Sequence, residues 1–160
     1  MNVYKTSQVR NVVFLGHGGA GKTTLAEAMA YATGVITRMG SVDNGNTISD
    51  YDSEEIKRKF SINAAVIPIE WNGLKINILD APGYFDFVGQ TEDAMSVADA
   101  AVIVVNGKAG LEVGTIKAWE ICERRKIPRI FFITGMDDPN AKYMETVKQL
   151  KETFGKQMAS

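Results

Sequence analysis

Residues Gly16 to Thr23 read G-H-G-G-A-G-K-T, and their neighbours leave that octapeptide one kind of local structure. Ahead of it, Asn11-Val12-Val13-Phe14-Leu15 is a short apolar run of the sort a buried strand shows. Behind it, Leu25, Ala26, Ala28, Met29 and Ala32 recur at helical spacing. The segment therefore reads strand, glycine-rich loop, helix. Gly16 and Gly21 let the backbone turn tightly, so successive N–H groups converge on phosphate oxygens. The loop also opens onto a helix N-terminus, where unpaired amides and the helix dipole favour an anion. Within the pattern G-x-x-x-x-G-K-[ST], Lys22 offers an ammonium to the β- and γ-phosphates. The Thr23 hydroxyl is a hard oxygen ligand suited to Mg²⁺.

Beyond this loop, strand-like and helix-like segments alternate, which argues for a layered α/β domain with a largely parallel sheet. One exception is informative. Ala64 to Trp71 and Leu74 to Leu79 flank Asn72-Gly73, a strong signal for a two-residue hairpin, so one strand runs antiparallel. Ala100 to Val105 and Ile130 to Ile133 read as further apolar strands, with a helix from about Val113 to Arg125 between them. A last helix is expected from Asp138, with Pro139 at its first position, to Phe154. Met144, Val147, Leu150 and Phe154 would form its buried face, and Gly155 suits its end. The stretch 34–60 breaks the rhythm. It is rich in Gly, Asn, Ser and Asp, and its place between the phosphate-binding helix and the hairpin is where a mobile, nucleotide-sensing switch loop would lie.

A chain of 160 residues is long enough for one domain with a real core. Its net charge of −1 gives no sign of a basic nucleic-acid surface or of a membrane-seeking one. No apolar stretch approaches the length of a transmembrane helix, and Met1 to Lys5 lacks the apolar core of a secretory signal. The single cysteine, Cys122, excludes an internal disulfide and fits a reducing cytoplasm. It shares a helical face with Val113, Ile116 and Trp119, so it reads as packing.

A second phosphate element follows the hairpin. Ile76-Asn77-Ile78-Leu79 runs into Asp80-Ala81-Pro82-Gly83. An acidic residue ending a buried apolar strand is what a Walker-B type Mg²⁺ site needs, with Asp80 reaching the metal through a water. Gly83, with no side chain in the way, suits a close approach of its backbone N–H to a γ-phosphate.

In order along the chain stand G-H-G-G-A-G-K-T, then K-R-K-F-S-I at Lys57 to Ile62, D-A-P-G at Asp80 to Gly83, and M-D at Met136-Asp137. Together these resemble the ordered G-boxes of translational GTPases, and of elongation factor G most closely. The likeness runs from Arg10 onward and takes in Asp50-Tyr51, Phe85-Asp86-Phe87 and Asn140-Ala141. Within that family, the P-G-Y-x-D-F and T-x-M-D variants look most like the elongation factor G-like paralogues. The resemblance implies a three-layer G domain with helices on both faces of the sheet. It implies that His17, Gly18, Gly19, Ala20, Gly21, Lys22, Thr23 and Thr24 cradle the phosphates of GTP or GDP. Thr23, Ser61 and Asp80 would hold Mg²⁺, Ser61 standing where the family has its switch threonine. Asp137 would accept two hydrogen bonds from the guanine edge, and Thr134 stands where the family has the amide that braces the base pocket. Lys22, Gly83 and Tyr84 would carry catalysis. The family also places a further base-contacting loop, a strand, a helix and several domains beyond this point. On that likeness the chain is a partial G domain whose strand at Ile130 to Ile133 becomes a sheet edge.

The sequence departs from the family at four places. Tyr84 occupies the position of the histidine that orients the attacking water. A phenol, with a reference pKa of about 10, is a poor base at neutral pH; its hydroxyl can still position a water, which matters more in phosphoryl transfer. Gly19 replaces a P-loop aspartate and removes a carboxylate from any monovalent-cation site. Thr134-Gly135-Met136-Asp137 replaces N-K-x-D, exchanging a bracing amide for a hydroxyl and deleting the lysine stem that covers the base. A weaker guanine site follows, at up to about 0.8 kcal/mol per lost buried methylene. His17, the only histidine, shapes the loop instead of acting in catalysis. The reading is a GTP-binding domain with slow, ribosome-stimulated hydrolysis and no membrane or direct nucleic-acid site. The alternatives are a guanine-nucleotide switch module with little turnover, a ribosomal-protection GTPase of the tetracycline-resistance type, and, more distantly, an ATP-dependent enzyme.

Overall fold

The computed structural model describes residues 3–49, 64–83 and 88–155. Among them five strands, β1 (Val9–Gly16), β2 (Ala65–Trp71), β3 (Leu74–Asp80), β4 (Ala100–Asn106) and β5 (Arg129–Thr134), form one sheet in the order β2-β3-β1-β4-β5. Of these, only β2 is antiparallel to its neighbour; β1 pairs in parallel with both β3 and β4, and β4 with β5. The hairpin between β2 and β3 turns as the sequence predicts. Asn72 and Gly73 both take positive φ, 48° and 75°, the mirror-image turn whose twist matches that of the strands.

Four helices among the described residues accompany the sheet: α1 (Lys22–Ala32), α2 (Val88–Val97), α3 (Val113–Arg125) and α4 (Tyr143–Phe154). Helix α1 lays Ala26 and Ala30 on one face of the sheet, against Phe14, Ile78, Ile67 and Ile69. The other face is larger. There Val13, Leu15, Ile103 and Val105 meet Met95 of α2, Trp119 and Cys122 of α3, and Leu150 and Phe154 of α4. Each fully buried side chain of this size contributes about 1.5–3 kcal/mol relative to exposure. Trp119, Phe131 and Phe154 stack on one another at centroid distances of 4.6–5.6 Å, and the Arg129 guanidinium lies 3.8 Å above Trp119. Cys122 is wholly buried in this cluster, whereas Val113, which the helical spacing put beside it, is exposed.

Strand β5 is the edge of the sheet, with Ile130 and Phe132 exposed. Helix α4 begins four residues later than the sequence pattern places it, at Tyr143 instead of Pro139. Asp138 does not start a helix, because its Oδ1 accepts the Asn140 amide at 2.8 Å and its carbonyl accepts the Ala141 amide at 2.9 Å. This self-closed turn competes with helix at Asp and Asn positions. The Lys142 amide then donates to the Gly107 carbonyl at 2.9 Å, fixing where α4 starts. The face of α4 shifts accordingly: Thr146, Leu150 and Phe154 are buried, while Met144 is exposed. Gly155 ends the helix in a right-handed conformation, without needing the left-handed freedom of glycine. Of the stretch 34–60, residues 34–49 are described and the remainder lies outside the described residues.

Because β1 lies between β3 and β4, the chain leaves it toward opposite sides of the sheet. Gly16, Asp80, Asn106 and Thr134 all end strands at the same edge. That carboxyl-end crevice is where open α/β sheets bind ligands.

Candidate functional site

Four loops emerge at this edge, and the one after β1 anchors the others. Lys22, the first residue of α1, is buried. Its Nζ donates to the carbonyls of His17 at 2.9 Å and Gly16 at 3.3 Å, which folds the loop around the ammonium. Burial holds the Lys22 pKa below the ordinary lysine value, and the charges of Asp80 and Glu112 pull it partly back. Thr23, next on the helix, donates its hydroxyl to Asp80 Oδ2 at 2.6 Å. Asp80 ends β3 at 1% exposure. A carboxylate can be buried so deeply only when hydrogen bonds or charge compensate it.

Gly83 closes the site from the β3 side. A Cβ built there would run into Lys22 Nζ and come within 2.7 Å of the Gly18 amide nitrogen. Only glycine lets this backbone lie on the loop so closely. The hard oxygens of Thr23 and Asp80, beside a buried ammonium, suit Mg²⁺ with phosphate, which takes one or two carboxylate or hydroxyl ligands and keeps its waters. Among the described residues no cluster of three or more His, Cys, Asp or Glu could hold a metal by itself.

On the β5 side, Thr134 donates its hydroxyl to the Ala20 carbonyl at 2.6 Å, with the Val105 carbonyl 3.3 Å away. The hydroxyl thus braces the phosphate loop directly. Gly135 follows in the left-handed region at φ 66°, where a Cβ would face the Asn106 side chain. Asp137 is exposed on the turn that follows. Its neighbour Asp138 fixes that turn. Hydrogen bonds from the Asn140 amide, the Lys108 ammonium at 3.1 Å and the Asn140 side chain hold its carboxyl below the usual range.

The sequence-predicted residues therefore divide. The structure brings together His17 to Thr24, Asp80, Gly83 and Thr134, and puts Asp137 on the same edge. Ser61 and Tyr84 lie outside the described residues, as do Asp50-Tyr51, Lys57 to Ile62 and Phe85 to Phe87. Gly19 is exposed at φ 78°, a conformation glycine takes without strain.

Two contributors escape the motif reading. Gly114, at the start of α3, lies against the loop: a Cβ there would approach His17 Cα to 2.5 Å. Glu112, just before it, sits 3.6 Å from His17 Nε2. A glycine in the first turn of a helix was the one available signal, since it has no local reason to be there. His17 accordingly shapes the loop through its backbone, with its ring turned to Glu112.

The profile of the elongation factor Tu GTP binding domain matches residues 7–160. An elongation factor G-like protein of Mycobacterium tuberculosis is 40% identical over 147 residues, 92% of this chain and 21% of its own length. A mitochondrial ribosome-releasing factor 2 of Drosophila ananassae is 37% identical over 147 residues, 92% of this chain and 20% of its length. A crystal structure of a protein from Thermus thermophilus superposes with a TM-score of 0.89 at 40% identity, covering 93% of this chain and 22% of that one. The chain spans about a fifth of the length of the curated relatives it matches.

Proposed function

Since the chain belongs to the family of elongation factor Tu GTP binding domains, a GTPase family, we propose that it binds Mg²⁺–GTP and hydrolyses it slowly, as the switch domain of an elongation factor G-like translation factor acting on the ribosome in the cytoplasm. The convergence of Lys22, Thr23, Asp80 and Gly83 at the carboxyl edge of the sheet carries this reading. Lys22 and the loop amides receive the phosphates. Thr23 and Asp80 hold the metal, with Ser61 joining them when a γ-phosphate is present. Mg²⁺ held there would supply neutralisation of the charge on the phosphates. Gly83 brings its N–H to the γ-phosphate, and Tyr84 orients the attacking water through its hydroxyl. Asp137 accepts two hydrogen bonds from the guanine edge and selects GTP over ATP.

The names of the relatives, elongation factor G-like protein and ribosome-releasing factor 2, support a ribosomal role for the parent protein. A second reading, a guanine-nucleotide switch with little turnover, draws on Thr134: its hydroxyl is engaged with Ala20, and Gly135 offers no stem to cover a base. Binding of GDP and ADP to the chain, compared by fluorescence titration, tests the base assignment; equal affinities would refute it. Single-turnover GTP hydrolysis by the full-length parent, with and without ribosomes, tests the rest. Stimulation by ribosomes is the expected result, and its absence leaves the switch module.

A further inference from the structure

The buried carboxylate of Glu27 has no part in the phosphate chemistry above. It lies on α1 one helical turn after Thr23, on the same side of the helix. The residue is 2% exposed. Its Oε1 accepts the Gly40 amide at 2.6 Å and its Oε2 accepts the Ile48 amide at 2.9 Å. Those two amides are the two sides of a neck. Between them the chain closes on itself, with the Ser41 amide on Asn46 Oδ1 at 2.8 Å and the Asn44 and Gly45 amides on the Ser41 and Val42 carbonyls at 3.1 Å. At Gly40 a Cβ would run into the Asn46 carbonyl and lie 2.8 Å from Glu27 Oε1, so the neck shuts only around glycine. Ile36 and Ile48 pack on the cluster of Phe14, Ala26 and Ala30.

We propose that Glu27 is a positioning residue, a latch that ties the loop Gly40–Ile48 to the phosphate-binding helix, so that loop order and occupancy of the phosphate site form one coupled equilibrium. A carboxylate buried among apolar groups is tolerable only while the two amides face it. Both bonds are charge-assisted, roughly twice as strong as neutral ones. The loop is therefore either docked, with both amides on the carboxylate, or released, with Glu27 in water; a half-docked loop strands the charge. Thr23 and Glu27 share a rigid helical turn, and Thr23 holds Asp80. A shift of Thr23 when the phosphate site fills would therefore be carried along the helix to the latch. Downstream of Ile48 the chain leads toward Ser61, assigned above to γ-phosphate sensing; the coupling half of this inference rests on that assignment.

Glu27→Gln tests it on the full chain. Glutamine keeps the shape and one acceptor but sets an N–H₂ against the second amide. Losing one charge-assisted bond of about 1.5–3 kcal/mol corresponds to a tenfold or greater change. Hydrogen exchange without nucleotide should show protection at the Gly40 and Ile48 amides falling by about that factor, with β1 and β4 amides unchanged. Unchanged protection at those two amides overturns the latch. Affinity for Mg²⁺ with a non-hydrolysable GTP analogue should then fall about tenfold while GDP affinity moves less than about twofold. Equal losses for both nucleotides, or a lowered melting temperature alone, overturn the coupling. If wild-type chain binds neither nucleotide, the GTP reading fails, and the exchange result still decides the latch. Should Glu27→Gln not fold, Gly40→Ala pries at the same neck with Glu27 itself unaltered, and the same two readouts apply.

Discussion

Thr134→Val isolates one hydrogen bond between the end of β5 and the phosphate loop. The substitution is close to isosteric but exchanges a hydroxyl for a methyl, and so is not neutral. Its branched carbons keep their place against Gly21, where Thr134 Cβ and Cγ2 lie 3.5 Å from a built Cβ. What disappears is the 2.6 Å bond to the carbonyl of Ala20, a residue only 1% exposed. Removing the donor from a buried acceptor costs about 1–3 kcal/mol. Thr134 itself is only partly buried, so water recovers some of this and the lower half of the range applies. At about 2–4 °C per kcal/mol for a chain of this size, the melting temperature should drop by roughly 2–8 °C. The same loss falls on the loop that presents its amides to phosphate, so GDP should bind more weakly, by up to about tenfold for 1.4 kcal/mol. Circular-dichroism melts and a fluorescent-GDP titration read both. Thr134→Ser is the control: it keeps the hydroxyl and should stay near wild type in both assays. If Thr134→Val melts within about 1 °C of wild type and binds GDP equally well, or if serine fails as badly as valine, the hydroxyl is not the brace.

Gly114→Ala should drive a methyl into His17 and disturb the phosphate loop from outside the motif; overpacking of about 1–3 kcal/mol predicts GDP affinity lowered several-fold or more, measured by titration. Gly135→Lys restores a base-covering stem worth up to about 0.8 kcal/mol per buried methylene, but at φ 66° a side chain costs roughly 1–2 kcal/mol of backbone strain. GDP binding should tighten while the nucleotide-free melting temperature falls; binding no tighter than wild type would refute the missing-stem argument. Burial pushes the Cys122 thiol up to about 11 against an ordinary 9.0, with Arg129 pulling it partly back. The folded state holds that proton more tightly, so the thiol's contribution to stability is whole below about pH 9 and lost as pH rises through about 11. Urea midpoints across that window should fall more steeply in wild type than in Cys122→Ala, and the native thiol should resist alkylation at about pH 8.

The parts of this fold written in the sequence are those fixed by local chemistry. Asn72-Gly73 demands a mirror-image turn wherever it sits between strands, and the hairpin follows. The apolar run of β4 and the second half of β1 are buried on both faces or nearly so, and a continuous run reports that state directly; the equally apolar β5 lies at the edge and leaves Ile130 and Phe132 exposed. The start of α4 was not legible, because Asp138 and Pro139 carry a valid helix-start pattern that an Asp–Asn turn outcompetes. What decides the contest is the Gly107 carbonyl, 35 residues upstream of Lys142, whose amide it accepts. Helix α2 gave no warning either: V-G-Q-T-E-D-A-M-S-V buries Ala94 and Met95 but has no sustained apolar stripe. Glu27 looked like any helix-surface glutamate. Its burial comes from a loop 13 to 21 residues away folding back over it, which no window of sequence periodicity contains.

The site divides along the same line. The phosphate grip is a run of consecutive residues plus one strand end, and its geometry follows once β1 and β3 pair in parallel, with Phe14 opposite Asp80. The base side is assembled differently. Asp137 rides on a turn held by Asp138 to Lys108, by Asn140 to Asp138, and by Lys142 to Gly107. Lys108 and Gly107 belong to the loop after β4, so the base side inherits its position from a different crossover than the phosphate side. The Thr134 hydroxyl joins the two halves, and it has a single proton to give. With that proton directed to Ala20, the hydroxyl meets a base only as an acceptor. On the proposed assignment, discrimination between guanine and adenine would then fall on the Asp137 carboxylate, while Thr134 ties the phosphate loop to the end of β5.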